Sequence, residues 1–325
     1  MNNKKIAVTG ACGFIGSHLC ELLVKKGYDV IAFDRYNIDN NYGWLNNSTY
    51  KKNIEFILGD IRDYDSVNNL IKKVKNCFHL AALIGIPYSY ISPLAYIKTN
   101  LEGTYNILEA SRANNIDQLI ITSTSETYGS AKYIPIDESH PINTQSPYAA
   151  SKAAADQLSI SYFLSFDTPI KIVRPFNVYG PRQSTRAIIP TIINQVLSNK
   201  NNINLGNINT SRDFTFVEDT CSGFFNIYKS DKFFGKVVNL GSNNNFKIND
   251  ICKIILKKMN SNKKINIQNQ RSRPTKSEVM RLVCDNSLLK KYSKWVLEHD
   301  INSGLSKTIN WYSDNKELFQ DKYHV

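Results

Sequence analysis

Residues 5–9, Lys-Ile-Ala-Val-Thr, form a short apolar run that opens directly into Gly10-Ala11-Cys12-Gly13-Phe14-Ile15-Gly16. Apolar residues then recur at helical spacing, at Ile15, Leu19, Leu22 and Leu23, and the run stops at Lys25-Lys26-Gly27. A buried strand, a glycine turn and a helix in that order leave few folds open to the chain. The glycines permit a tight turn and let backbone approach a pyrophosphate at the helix N-terminus. A second strand-like run, Asp29–Phe33, ends on Asp34. A carboxylate there suits a ribose 2′-hydroxyl and favours NAD over NADP, although Arg35 beside it could tolerate a 2′-phosphate.

The same alternation continues. Strands are expected near 5–9, 29–34, 54–58, 76–81, 118–123 and 170–174, and helices near 14–26, 65–73, 93–114 and 147–166. Strand–helix alternation of this kind predicts an α/β fold, a doubly wound parallel Rossmann sheet. At 325 residues the chain is long enough for about two domains. The pattern becomes irregular after Pro175. We expect a dinucleotide-binding domain of residues 1–177 plus about 213–256, which return to it through strand 236–240 and helix 248–259. A smaller substrate-binding lobe is expected from about 178–212 and 257–325.

Composition excludes several classes. No apolar run approaches membrane-spanning length, and the N-terminus enters a strand within a few residues, so no signal peptide is expected. Six cysteines are scattered without a C-x-x-C pair, and five histidines show no ligand spacing. Buried thiols in a reducing cytoplasm fit better than disulfides, and no metal site is expected. The net charge of +12 is spread through a Lys-, Asn- and Ile-rich chain rather than gathered into a basic arm. Nucleic acid is therefore a poorer partner than an anionic substrate met by a few arginines.

The chemistry is carried by two segments. Ser146-Pro147-Tyr148-Ala149-Ala150-Ser151-Lys152 puts Tyr148 and Lys152 one helical turn apart on a shared face. An ammonium there is expected to lower the phenol pKa, so that Tyr148 can take a proton from a substrate hydroxyl. Upstream, Ser123-Thr124-Ser125-Glu126 adds a hydroxyl and a carboxylate.

Taken together, G-x-x-G-x-x-G, the Tyr148/Lys152 pair and Thr124 placed 24 positions before Tyr148 resemble the extended short-chain dehydrogenase/reductase family over nearly the whole chain. The resemblance implies an NAD site built from Gly10, Gly13, Phe14, Ile15, Gly16 and Asp34. It adds Asp60-Ile61 at the adenine, Leu80-Ala81-Ala82 of His79-Leu80-Ala81-Ala82, then Asn100, Tyr148, Lys152 and Pro175. It also implies a homodimer through a four-helix bundle formed by the helices near 93–114 and 147–166.

Within the family, Glu126 is the discriminating residue. Members that only epimerise C4 usually carry small neutral residues there. An acid beside the catalytic Thr implies removal of the C5 proton once C4 of a hexose is a ketone, with loss of the C6 hydroxyl as water. The familiar nucleotide-glucose 4,6-dehydratases have Thr-Asp-Glu, whereas this chain has Thr124-Ser125-Glu126. We therefore expect Glu126 to serve as both base and acid, with Ser125 orienting or relaying. Tyr133–Pro141, Gln145–Lys152 and Pro181–Thr191 resemble one subgroup, the nucleotide-N-acetylglucosamine 4,6-dehydratases of legionaminic-acid-type pathways. UDP-glucuronate decarboxylases, which form UDP-xylose, share Thr-Ser-Glu and are the alternative; a 4-epimerase and a non-catalytic NAD-binding regulator follow. Substrate contacts implied by the resemblance are Ser89, Thr124, Glu126, Asn177, Ile189, Arg212 and Arg273, the arginines meeting the diphosphate of a UDP- or GDP-linked sugar.

Overall fold

The computed structural model describes residues 4–268 and 274–319. Its centre is a seven-stranded parallel sheet. Six strands are β1 (Lys5–Thr9), β2 (Asp29–Arg35), β3 (Ile54–Gly59), β4 (Asn76–His79), β5 (Gln118–Thr122) and β6 (Ile170–Pro175), and the seventh is Val237–Leu240. From one edge the order is Val237–Leu240, β6, β5, β4, β1, β2, β3. The chain winds outward from β1 in both directions, so a crevice opens between β1 and β4, where strand order reverses. Thr9 pairs with both Phe33 and His79, which aligns the ends of β1, β2 and β4 at that crevice.

The strands are apolar on both faces because helices cover both. On one face Ile6, Val8, Val30, Ala32 and Phe78 pack with Leu19 and Leu23 of α1 (Phe14–Lys25). On the other, Ala7, Ile31, Cys77 and Ile121 meet α2 (Tyr64–Ile71) and later helices. Chain order continues through α3 (Ile86–Ile91), α4 (Pro93–Tyr96), α5 (Gly103–Ala113) and α6 (Pro147–Phe166). The helix expected over 93–114 is interrupted: Ile97–Glu102 is a π-helical turn between α4 and α5. It carries Asn100, whose side chain is taken up by the site rather than by the helix, and such turns are frequent at functional positions.

Beyond β6 come α7 (Ile188–Leu197), α8 (Val217–Lys229), α9 (Ile248–Lys258), α10 (Ser287–Tyr292) and α11 (Ile301–Asp314). The expected return of 236–240 to the sheet is seen, with Val237–Leu240 pairing in register with Ile172–Pro175. The following helix, α9, packs on α7 and α11. Ile251, Cys252 and Ile255 on one face of α9 join Ile189, Ile192 and Ile193 of α7 in a core continuous with that of the sheet.

Candidate active site

The glycine turn is built to leave room. Gly10 has φ +67°, and a Cβ there would lie 2.8 Å from Ala81 N. At Gly16 a Cβ would come within 2.1 Å of Gly10 O. No other residue fits either position, so bare backbone faces the crevice at the N-terminus of α1. Gly13 is the exposed N-cap of α1, followed by the half-buried Phe14 and Ile15. Asp34, at the end of β2, accepts from Cys12 N at 2.7 Å and from Arg35 N at 2.8 Å. Its carboxylate is thereby pinned beside the turn. Past β3, Asp60 is gripped by Arg62 Nε at 3.0 Å and Nη2 at 2.6 Å, which lowers its pKa. Ile61 is buried against Gly103.

Below the crevice a fully directed hydrogen-bond chain holds the wall. Thr104 Oγ1 donates to Asn100 O, so it accepts from His79 Nε2 at 3.2 Å. His79 Nδ1 then accepts from Thr9 Oγ1 at 2.8 Å, and Thr9 Oγ1 accepts from Ala81 N at 3.2 Å. This order needs a neutral imidazole, and burial together with the nearby Lys152 charge pushes His79 down to about 3. Leu80, Ala81 and Ala82 follow as a half-buried shelf. Asn100 ties the shelf to α6: Oδ1 accepts from Leu83 N at 2.8 Å, while Nδ2 donates to Leu83 O at 3.0 Å and Ser151 Oγ at 2.9 Å. Pro175 is buried at the end of β6.

Two elements bring the acid–base residues together. Ser146 caps α6, its side chain accepting from Ala149 N at 3.1 Å, and Pro147 occupies the first turn. That start places Tyr148 and Lys152 one turn apart, both buried. Thr124 caps a short 3₁₀ turn, Ser125–Tyr128, its Oγ1 accepting from Glu126 N at 3.3 Å. α6 packs on that turn, and Thr124 and the Glu126 charge both act on the Tyr148 phenol. The turn carrying Thr124, Ser125 and Glu126 thus lies against the helix that carries Tyr148 and Lys152.

The expected lowering of the phenol pKa is not found in the protein alone. Burial dominates and raises Tyr148; Thr124 offsets part of the rise, and the Glu126 charge adds to it. The same burial takes Lys152 down to about 8 from 10.5. One turn of separation puts the two groups in the same dry pocket, and there desolvation outweighs the attraction expected of an ammonium.

The expected substrate residues divide. Asn177 Oδ1 is buried and has no hydrogen-bond partner among the described residues, so an acceptor is available there. Ser89 is fully buried, and its hydroxyl donates to Ile86 O at 2.7 Å. The Ile189 side chain is 1% exposed and packs in the core, which leaves only its backbone to meet a ligand. Arg212 is buried, donating to Ser211 O at 2.9 Å and reaching Glu278 at 3.5 Å. Arg273 lies outside the described residues.

Sequence reasoning missed what binds these pieces. Tyr90 and Ser277 hydroxyls meet at 2.6 Å, and Gln145 Nε2 donates to Lys276 O at 2.8 Å, joining α3, the approach to α6 and the 3₁₀ turn Thr275–Ser277. Asp156, four residues after Lys152, anchors a buried network with Ser123 and Arg174. Its only sequence signal is that Y-x-x-x-K continues as Y-x-x-x-K-x-x-x-D.

Sheet order, glycine cradle and clustered Thr124, Tyr148 and Lys152 define an extended short-chain dehydrogenase/reductase. The sequence model for GDP-mannose 4,6 dehydratase matches residues 7–308, and the chain belongs to that family of nucleotide-sugar dehydratases and related epimerases. It is 31% identical over 321 residues to UDP-glucuronate 4-epimerase of Thermodesulfobacterium geofontis, covering 96% of this chain and 97% of the relative. It is 30% identical over 321 residues to dTDP-D-glucose 4,6-dehydratase of Homo sapiens, covering 96% and 91%. Among solved structures, UDP-glucuronic acid 4-epimerase of Bacillus cereus, in complex with a UDP-sugar and NAD, superposes with a TM-score of 0.88. The identity there is 29%, covering 97% of this chain and 100% of that one.

Proposed function

We propose that the protein is an NAD-dependent nucleotide-sugar 4,6-dehydratase acting on UDP- or GDP-linked N-acetylglucosamine and forming the 4-keto-6-deoxy sugar. Gly10, Gly13, Gly16 and the backbone at Phe14 and Ile15 hold the NAD pyrophosphate. Asp34 takes a ribose, Asp60 and Ile61 flank the adenine, and the Leu80–Ala82 shelf with Pro175 encloses the nicotinamide end. When bound, the nicotinamide supplies the acceptor for the C4 hydrogen and its return to C6.

Tyr148 takes the proton of the C4 hydroxyl, and Thr124 holds that oxygen. Lys152, as the ammonium, favours the phenolate that Tyr148 becomes. Oxidation at C4 acidifies the C5 hydrogen. Glu126 removes it and passes it to the C6 hydroxyl, which leaves as water on the same face. Ser125 orients the carboxylate, and C5 regains a proton as C6 is reduced. Asn177 Oδ1 accepts from a sugar N–H or O–H, and Arg212 faces the diphosphate.

The observation that carries this reading is a carboxylate, Glu126, on the turn that Thr124 caps, within electrostatic range of the Tyr148 phenol. A pure C4 epimerase has no use for a base there. The epimerase reading nevertheless draws support from relatives of that name, and from Ser125 where a dedicated acid would be expected. A dimer through α5 and α6 is part of the proposal, supported by the exposed Tyr105 of α5 and by Leu164 and Phe166 of α6, with Ile97 on the turn before α5.

The deciding experiment is mass spectrometry of the purified protein with UDP- and GDP-linked N-acetylglucosamine and with UDP-glucuronate. Loss of one water from an N-acetylglucosamine substrate is expected, and it should disappear in Glu126→Gln while that variant still reduces its NAD. Loss of carbon dioxide from the glucuronate, or an isomer of unchanged mass, would overturn the assignment. Gel filtration tests the dimer.

A further inference from the structure

We propose that Asp156 is a positioning residue that holds the Thr124–Glu126 turn in register with Tyr148 and Lys152 and keeps Lys152 charged. The inference rests on Tyr148 and Lys152 being the acid–base pair proposed above. Asp156 stands one turn beyond Lys152 on α6 and is fully buried. Its Oδ2 accepts from Ser123 Oγ at 2.6 Å and from Arg174 Nε and Nη2 at 3.1 and 2.8 Å.

Each partner leads to a different part of the site. Ser123 immediately precedes Thr124. Arg174 precedes Pro175, and its guanidinium lies 4.8 Å from the centre of the Tyr128 ring. Tyr128 ends the 3₁₀ turn that carries Glu126, and its hydroxyl donates to Asn239 Oδ1 at 2.8 Å on the seventh strand. One carboxylate oxygen therefore joins α6, the 3₁₀ turn and β6.

Asp156 Oδ1 is also buried, yet it has no hydrogen-bond partner among the described residues. An isolated buried carboxylate is costly. Arg174 neutralises it through Oδ2, and the remaining field acts on the ammonium one turn away. Asp156 acts on Lys152 from the same helix and His79 on β4 feels the Lys152 charge, while Glu126, Tyr96 and Asp156 bear on Tyr148 one turn before it. Lys98 and Glu102 of the π-helical turn are exposed. His79 is neutral and Arg174 is positive. Asp156 is the group whose charge favours the protonated Lys152 against the desolvation that disfavours it.

The charge-setting role is tested by NAD affinity, measured by calorimetry between pH 6 and 10 on the full chain, which needs no sugar substrate and so stands or falls apart from the dehydratase reading. Asp156→Asn keeps the shape and removes the charge. Its alkaline loss of NAD affinity should move to lower pH by roughly one unit, whereas Asp156→Glu should keep the wild-type midpoint. An unchanged midpoint in a folded Asp156→Asn overturns the charge-setting role. Ser123→Ala keeps the charge and frees the turn. Its midpoint should stay while the rate of NAD reduction by a bound nucleotide sugar falls about tenfold. A wild-type rate overturns the positioning role. If Asp156→Asn does not fold, the Lys152 side-chain signal in carbon NMR spectra of Asp156→Glu and wild type decides, since different titration midpoints would contradict a charge effect.

Discussion

Asn100 Nδ2 reaches Ser151 Oγ at 2.9 Å while the same side chain closes on both backbone groups of Leu83. A residue from a π-helical turn thereby joins the shelf after β4 to the helix carrying Tyr148 and Lys152. Asn100→Ala leaves the Leu83 amide and carbonyl without their partner. We expect a loss of about 2 kcal/mol in urea unfolding, with weaker NAD binding because the shelf loosens.

Gly10→Ala and Gly27→Ala should separate backbone strain from cofactor exclusion. Both positions have positive φ, but a Cβ at Gly10 meets Ala81 N at 2.8 Å, whereas nothing lies within 4 Å at Gly27. Gly27→Ala should cost only the left-handed backbone strain, about 1 kcal/mol, and Gly10→Ala more than that, because the Ala81 backbone must also shift. Only Gly10→Ala should also lose NAD, measured as nucleotide released from the purified, heat-denatured protein.

Tyr148→Phe removes a buried phenol whose pKa burial has already raised. We expect a folded protein that still binds NAD, with substrate-dependent NAD reduction at 340 nm slowed by about a thousandfold. Retained reduction would move the C4 proton acceptor elsewhere.

Lys152 links activity and stability to pH. Its pKa is near 8 in the fold against 10.5 ordinarily. Between those values the unfolded chain binds more protons than the native one, so this group's contribution to stability rises with pH there. At neutral pH the buried ammonium is destabilising, by at most about 3 kcal/mol. Lys152→Met should therefore raise the urea midpoint at pH 7, with little gain at pH 10, and abolish turnover. Wild-type turnover should fall on the alkaline side as pH passes about 8. A stability loss in Lys152→Met at pH 7 would contradict this account.

His79 acts in the opposite pH range. Its pKa is depressed to about 3 from 6.5. The stability it contributes is present above pH 6.5 and drains away as pH falls towards 3, because the unfolded imidazole takes a proton that the native one refuses. Unfolding free energy of His79→Asn should be flatter than wild type between pH 6 and 4.

Much of the fold was legible because its signals are local. The glycine turn needs the conformation that Gly10 allows and the space that Gly16 leaves, and the apolar runs expected as strands near 5–9, 29–34 and 118–123 announce a sheet buried on both faces. The Ser146-Pro147 start of α6 sets Tyr148 and Lys152 on one face by helical period alone. The break of the 93–114 helix around Asn100 was not legible, since the Asn100 side chain there is engaged with Ser151, 51 residues away. The course of α9 was equally hidden: its apolar stripe says that a face is buried, not against what.

What the chain order of residues determined was the strand–turn–helix grammar, the cradle at Gly10–Gly16 and the spacing of Tyr148 from Lys152, all properties of a few consecutive dihedrals. Tertiary structure alone decided the charge states. Burial, not the ammonium, governs the Tyr148 phenol; desolvation brings Lys152 near 8; and Asp156, Arg174 and Ser123 meet only because α6, β6 and the end of β5 are packed together. Dielectric environment and long-range pairing depend on what surrounds a group in space, and that is settled only when the sheet and its helices close around it.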